Sequence, residues 1–222
     1  MLRFVRMEML EKITIGTTIV AAGLHEGKHE MDENFLHPDE IALIRELSPR
    51  KRSEWMASRE LLYQIAALPE RAKCLYDDFG KPYLEGVPKH ISVSHSELWC
   101  AAMISDQPCG VDIQVYSETV QRIAGRFLTP EDLIRIGQND NALQQLHLLW
   151  GAKECIYKAY GRRKLGFREH IYITSINHET GHGSGGIKYE DIHLTYDIYF
   201  KSLPKVAWVF CVERDSPLHL VD

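Results

Sequence analysis

Gly110-Val111-Asp112-Ile113-Gln114-Val115 and, further along, Trp150-Gly151-Ala152-Lys153-Glu154-Cys155-Ile156-Tyr157-Lys158 decide how this chain is read. In the first stretch Val111, Ile113 and Val115 alternate with Gly110, Asp112 and Gln114, the period of two that marks a half-buried strand. Asp112 and Gln114 therefore point the same way from a rigid support. The second stretch reads as a helix. At 3.6 residues per turn Trp150, Glu154 and Tyr157 share a face, with Lys153 and Lys158 flanking Glu154, while Ala152, Cys155, Ile156 and Ala159 form an opposite apolar stripe suited to packing on a sheet.

These types of residue suit a charged phosphate ligand. Magnesium takes hard oxygen ligands, commonly one or two carboxylates with waters and substrate phosphates completing the octahedron. Asp112, Glu154 and the amide oxygen of Gln114 are such a set, and Lys153 and Lys158 would neutralise the remaining phosphate charge. The same spacing also describes a plain i,i+4 ion pair between Glu154 and Lys158 beside a solvated strand aspartate.

Outward from these stretches, residues 99–104 read as a further strand, and Ser105-Asp106-Gln107-Pro108 as a turn, which predicts an antiparallel hairpin with the Asp112 strand. Ile91-Ser92-Val93-Ser94-His95-Ser96 precedes it as another strand. Ser94 and His95 are neighbours there and point to opposite faces, so neither activates the other. Residues 13–24 read as a strand or hairpin. Pro38 opens a helix with acids in its first turn, and residues 50–67 form a second helix on which Arg52 and Arg59 share a face. Two guanidiniums on one face suit a phosphate. Residues 120–128 and the start at Thr129-Pro130 are helical, and the long helix ends near Gly161. Gly181-His182-Gly183-Ser184-Gly185-Gly186 lacks the Gly-Lys-Ser/Thr of a phosphate-binding loop and predicts a flexible hairpin loop. Residues 192–200 and 206–212 close the chain as strands.

The 222 residues, 45% hydrophobic and 26% charged, suit one globular domain or two small ones. A net charge of -5 argues against a general nucleic-acid binder, although Arg50-Lys51-Arg52 and Arg162-Arg163-Lys164 are local basic clusters. There is no apolar run of membrane-spanning length and no signal-peptide pattern at Met1-Leu2-Arg3-Phe4-Val5-Arg6, which predicts a cytoplasmic protein without membrane contact. The five cysteines lack a C-x-x-C pair and read as reduced core residues, and the eleven histidines show no zinc-binding pair. Strands and helices recur in the order strand, helices, strands twice over. That order predicts an α+β protein of two similar halves, residues 1–108 and 109–222.

Five motifs in this order, Gly80-Lys81-Pro82-Tyr83-Leu84, Ser92-Val93-Ser94-His95-Ser96, Gly110-Val111-Asp112-Ile113, Arg126-Phe127-Leu128 and Trp150-x-x-Lys153-Glu154-x-x-x-Lys158, resemble the 4′-phosphopantetheinyl transferases, specifically the longer, surfactin-synthetase-activating type. The resemblance covers roughly residues 45–170. It implies a monomer of two pseudo-symmetric α/β halves, with coenzyme A in the cleft between them and magnesium on its pyrophosphate. It also implies a holo-[acyl-carrier-protein] synthase-type reaction, in which phosphopantetheine passes to a serine of an apo acyl or peptidyl carrier protein and adenosine 3′,5′-bisphosphate leaves. By matching position Asp112 and Glu154 are the metal carboxylates and Lys158 a pyrophosphate contact. Arg59, Ser94 and His95 contact the nucleotide end, and Arg52 and Lys81 are further phosphate contacts. Gln114 stands where some members carry a second acid, and as an amide it is a neutral metal ligand. Glu154 is the candidate base for the serine hydroxyl. Residues 120–143 are the expected carrier platform, with exposure of Phe127 or Leu128 as its mark. Two other readings stay open: a non-catalytic module that binds coenzyme A or a carrier protein, and a magnesium-dependent hydrolase of nucleotide pyrophosphates.

Overall fold

The computed structural model describes residues 7–25, 36–66, 72–137, 140–162, 165–203 and 205–214. Residues 1–6 and the Arg163-Lys164 part of the second basic cluster lie outside them. Among the described residues the strands form two antiparallel sheets. Strands β1 (Glu8–Ile15), β2 (Thr18–Leu24), β3 (Cys74–Tyr76), β4 (Pro82–Leu84), β5 (His90–Ser96) and β6 (Trp99–Ser105) make the first, in the order β1-β2-β6-β5-β4-β3. Strands β7 (Cys109–Val115), β8 (Ile171–Asn177), β9 (His182–Tyr189), β10 (Ile192–Leu203) and β11 (Val206–Glu213) make the second, in the order β7-β11-β10-β9-β8. The fold is α+β in two halves.

Four layers result. Helix α1 (Pro38–Arg45) leads into α2 (Pro49–Ala66), whose Ala57, Leu61, Leu62 and Ile65 pack on the Ile91, Cys100, Ala102 and Ile104 face of the first sheet. The opposite face of that sheet, with Val20, Ala22, Ala101 and Met103, meets Val111, Ile113, Trp208 and Phe210 of the second. The far face of the second sheet, with Ile187, Tyr196, Ile198, Val209 and Cys211, is covered by α5 (Ala142–Tyr160) through Ala152, Cys155, Ile156 and Ala159. The small-residue stripe predicted for α5 is this buried face. Helices α3 (Thr119–Ile123) and α4 (Pro130–Gly137), joined by the 3-10 turn Ala124–Arg126, cover one side of α5.

Two expectations are corrected. β6 and β7 do not form a hairpin: β6 is already bonded to β2 on one edge and β5 on the other, so the chain crosses after Ser105 to the other sheet and β7 pairs with β11. The glycine-rich stretch is likewise not a loop. Only Gly181 is in the turn, at φ 65°, and His182–Tyr189 is an inner strand bonded to both β8 and β10. Its glycines answer a packing demand, since a Cβ at Gly186 would stand 2.3 Å from the Leu194 carbonyl oxygen and 2.5 Å from the Tyr172 hydroxyl.

The five cysteines are buried and free, as the sequence predicts. Burial raises every one of these thiols, Cys74 to about 11 and Cys109 to about 12. No described helix is long and apolar enough to cross a membrane.

α5 lies on β7 at a distance that only glycine permits. A Cβ at Gly110 would meet the Cys155 carbonyl oxygen at 1.9 Å. We expect Gly110→Ala to force α5 off the sheet and lower unfolding stability by about 2 kcal/mol or more, read from a urea titration; an unchanged midpoint would show that the helix can shift without cost.

Candidate active site

Edge strand β7 has a problem to solve. It pairs with β11 on one side, and the amides of Val111, Ile113 and Val115 face away from that partner. Side chains of period two on β5 meet them: Ser92 Oγ accepts from Val111 N–H at 3.0 Å, Ser94 Oγ from Ile113 N–H at 3.3 Å and Ser96 Oγ from Val115 N–H at 3.0 Å. Three hydroxyls thus do the work of a missing strand and join the two sheets.

The middle rung carries the site. Ser94 Oγ donates to Asp112 Oδ1 at 3.0 Å, and Lys158 Nζ donates to the same oxygen at 2.7 Å, to Ser94 Oγ at 3.2 Å and to the Val111 carbonyl at 3.0 Å. Asp112 is buried on the α5 side of β7, opposite Val111 and Ile113 in the core. Its second oxygen, Oδ2, accepts from the Gln114 amide nitrogen. Gly151 leaves room for it: a Cβ there would lie 2.9 Å from Val209 Cγ2 and 3.6 Å from Asp112 Oδ2.

Glu154 stands on α5 one turn before Lys158 and feels the charge of both Asp112 and Lys158. Burial first, with Asp112 adding to it and Lys158 opposing, pushes its carboxyl up to about 7. Burial works against the Lys158 charge, but Asp112 outweighs it and holds the ammonium above its usual range. The site therefore concentrates two acids around one half-buried cation. Among the described residues no cluster of three or more His, Cys, Asp or Glu side chains is placed to hold a metal. Two carboxylates are nevertheless what magnesium commonly takes from a protein, and a Glu154 whose ionisation is disfavoured is a group that a divalent cation would stabilise in its charged form. The donor set fits magnesium through Asp112 and Glu154.

Gln114 turns its amide nitrogen to Asp112 and its oxygen to His147 Nδ1, 2.9 Å away. His147 is buried on α5, with Nε2 2.9 Å from Ser117 N and 3.0 Å from Ser117 O. Burial lowers the imidazole, which favours the neutral ring. The sequence reading missed His147 while searching histidines for zinc pairs. Its signal was position: seven residues before Glu154, on the same helix face.

Other predicted residues go elsewhere. Lys153 is buried and donates from Nζ to the carbonyls of Phe167 and Ile171, away from Asp112, and burial lowers it to about 8. It clasps the chain entering β8 and is not brought to the Asp112 group. Arg52 and Arg59 do share a face of α2, but that face is turned to α1. Arg52 donates to the carbonyls of Ile44, Arg45 and Leu47 at the end of α1. Arg59, 3% exposed, pairs with Glu40, 2% exposed, at 2.7 Å, and reaches the Tyr63 hydroxyl and the Ala72 carbonyl. Its Nε and Nη1 are buried without a partner among the described residues. His95 is exposed on the other face of β5 from Ser94, with Nδ1 3.6 Å from Glu54 Oε2. Lys81 crosses between the halves and donates to the Ala159 carbonyl at the C-terminus of α5, where Gly161 caps the helix at φ 65°.

A cleft of about 250 Å³ opens beside this group, lined by Phe79, Lys81 and Ser92 from the first half and Tyr157, Lys158 and Arg162 from the second. Lys158 thus belongs both to the Asp112 cluster and to the cleft wall.

Two outcomes test these placements. In metal-free protein the raised Glu154 makes the folded state bind a proton that the unfolded state releases near its ordinary value of 4.5. Stability is therefore greatest below pH 4.5 on this account and falls as pH rises through about 7, by on the order of 3 kcal/mol. Urea titrations at several pH values should show that loss in the native chain and not in Glu154→Gln; parallel profiles would refute it. For Arg59→Ala, which leaves Glu40 as a buried unpaired charge, we expect a stability loss of about 3–5 kcal/mol by the same measurement. A loss below 1 kcal/mol would mean that the pair is not structural.

Comparison with known proteins meets this geometry in the second half. Residues 108–212 match the family described as the 4′-phosphopantetheinyl transferase superfamily. Over 107 residues the chain is 30% identical to 4′-phosphopantetheinyl transferase gsp of Aneurinibacillus migulanus, a match covering 47% of this chain and 45% of that protein. The match thus spans about half the length of that curated relative. Asp112, Glu154 and Lys158 all lie inside the matched region, so it is the half of the chain that carries this cluster that is similar to the 4′-phosphopantetheinyl transferase superfamily.

Proposed function

We propose that the protein transfers 4′-phosphopantetheine from coenzyme A to a serine hydroxyl of an apo carrier protein, with magnesium, releasing adenosine 3′,5′-bisphosphate. The observation that carries this reading is the ion pair of Asp112 with Lys158, coupled to Glu154 one turn away, with Lys158 also lining a cleft shared by both halves. Lys158 and Lys81 bring positive charge to the cleft for a pyrophosphate, and Arg162 lines its rim. Magnesium held by Asp112 and Glu154 would withdraw charge from that pyrophosphate. The serine oxygen forms its bond to the β-phosphorus as the bond from that phosphorus to the bridging oxygen breaks, and the bisphosphate carries the electron pair away. Glu154 takes the serine proton. Asp112 is held in place for this by Ser94, Lys158 and Gln114, so little of its geometry needs to reorganise.

On the carrier side the expected mark is absent. Phe127 and Leu128 are buried, 0% and 3% exposed, in a cluster with Val120, Ala124, Ile136 and Leu146, and Phe127 stands edge-on to Trp150. The apolar side chain that this region offers is Ile134 of α4, 66% exposed, which is the contact we assign to a carrier helix.

Incubation of an apo acyl or peptidyl carrier protein with coenzyme A and magnesium should add one phosphopantetheine by intact mass, and Asp112→Ala and Glu154→Ala should abolish the gain while remaining folded by circular dichroism. Coenzyme A binding without gain on any carrier would instead make the protein a binding module. Release of the bisphosphate without a carrier would make it a hydrolase.

A further inference from the structure

His147 and Gln114 form a directional chain that ends on Asp112. A carboxylate oxygen and an amide oxygen can only accept, whereas an amide NH₂ and a backbone N–H can only donate. Gln114 Nε2 lies against Asp112 Oδ2, so the amide presents its donor to the carboxylate. Its Oε1 then faces His147 Nδ1 at 2.9 Å, and that nitrogen must carry the ring proton. Nε2 is left with a lone pair, which accepts from Ser117 N–H at 2.9 Å. Each of the three steps runs from Ser117 toward Asp112. The reverse direction has an anchor too, because Ser117 O lies 3.0 Å from Nε2 and could accept a proton carried there. That direction would aim Oε1 of Gln114 at Asp112, oxygen against oxygen, and would be tolerable only with a cation between them.

We propose that His147 is a positioning residue which, as its Nδ1–H tautomer, locks Gln114 as a hydrogen-bond donor to Asp112, so that Gln114 orients the metal carboxylate and is not itself a ligand. The inference rests on the magnesium reading of Asp112 given above, but its central observable does not need the metal. The position at which some members of the resembled family carry a second acid is here filled by a neutral donor, and the protein's ligands to magnesium would reduce to Asp112 and Glu154. The metal would meet one negative charge fewer, while Asp112 is held as rigidly as a ligand pair would hold it. His147 is buried, so its ring is shielded from exchange with solvent partners.

The test is ¹⁵N nuclear magnetic resonance of the imidazole nitrogens in the full chain, metal-free and with magnesium plus coenzyme A. The proposal expects protonated Nδ1 and bare Nε2 in both samples. Bare Nδ1 in either sample overturns it, because that nitrogen then accepts from the Gln114 amide and turns the amide oxygen to Asp112 as a ligand; a ring protonated on both nitrogens overturns it too, since His147 is then not the Nδ1–H tautomer. If magnesium moves no resonance of β7 or α5, the transferase reading fails, while the metal-free tautomer still decides this one. A second measurement follows the Gln114 side-chain amide in His147→Phe. Its two proton shifts should collapse toward those of a free glutamine side chain, with β7 backbone shifts retained. A Gln114 amide unchanged in that variant would also overturn the proposal.

Discussion

The unpaired edge of β7 is the constraint on which the rest depends. An edge strand between two packed sheets cannot reach water and cannot leave its amides without partners, since each would cost on the order of 1–3 kcal/mol. Ser92, Ser94 and Ser96 remove that penalty, and they do so only because a strand places every second side chain on one face. The serine ladder fixes the separation of the halves. It also fixes the register of β7 against β5, so that Asp112 falls opposite Ser94 and beneath Lys158.

From that register the site follows by contact. Gly110 and Gly151 let α5 approach β7 and β11 closely enough for Glu154 and Lys158 to sense Asp112. Lys81 ties the far end of the same helix to the first half. Thus α5, which belongs to the second sheet by its apolar stripe, is pinned at its polar face by residues from both sheets. Burial that would be unfavourable for any one of these charged groups is tolerated because they compensate one another.

Much of this was legible in the chain. The alternation about Asp112, the small-residue stripe of α5, the helix starts at Pro38 and Thr129 and the opposed directions of Ser94 and His95 all follow from periods of 2.0 and 3.6. Local rules failed where partners lie far along the sequence. Nothing near residues 105–108 says that both edges of β6 are already taken, and nothing in residues 181–186 separates a loosely held glycine from one pressed against a neighbouring strand. The shared face of Arg52 and Arg59 was readable, yet its neighbour α1 was not, and a helix end and Glu40 occupy much of the guanidinium capacity that a phosphate would need. Lys153 and Lys158 flank one glutamate in sequence, but the fold sends one to the Phe167 and Ile171 carbonyls and the other to Asp112.

The buried cysteines have a consequence for redox chemistry. A thiol-bearing donor of the proposed kind would deliver a free sulfhydryl with every turnover, and exchange with a protein disulfide or attack by a protein thiolate would trap it. None of the five cysteines is exposed or paired, and burial raises each of them away from thiolate formation near neutral pH. On the proposed reading the protein would be chemically silent toward the sulfur of its donor, and alkylating or oxidising reagents would reach that donor thiol before these buried cysteines.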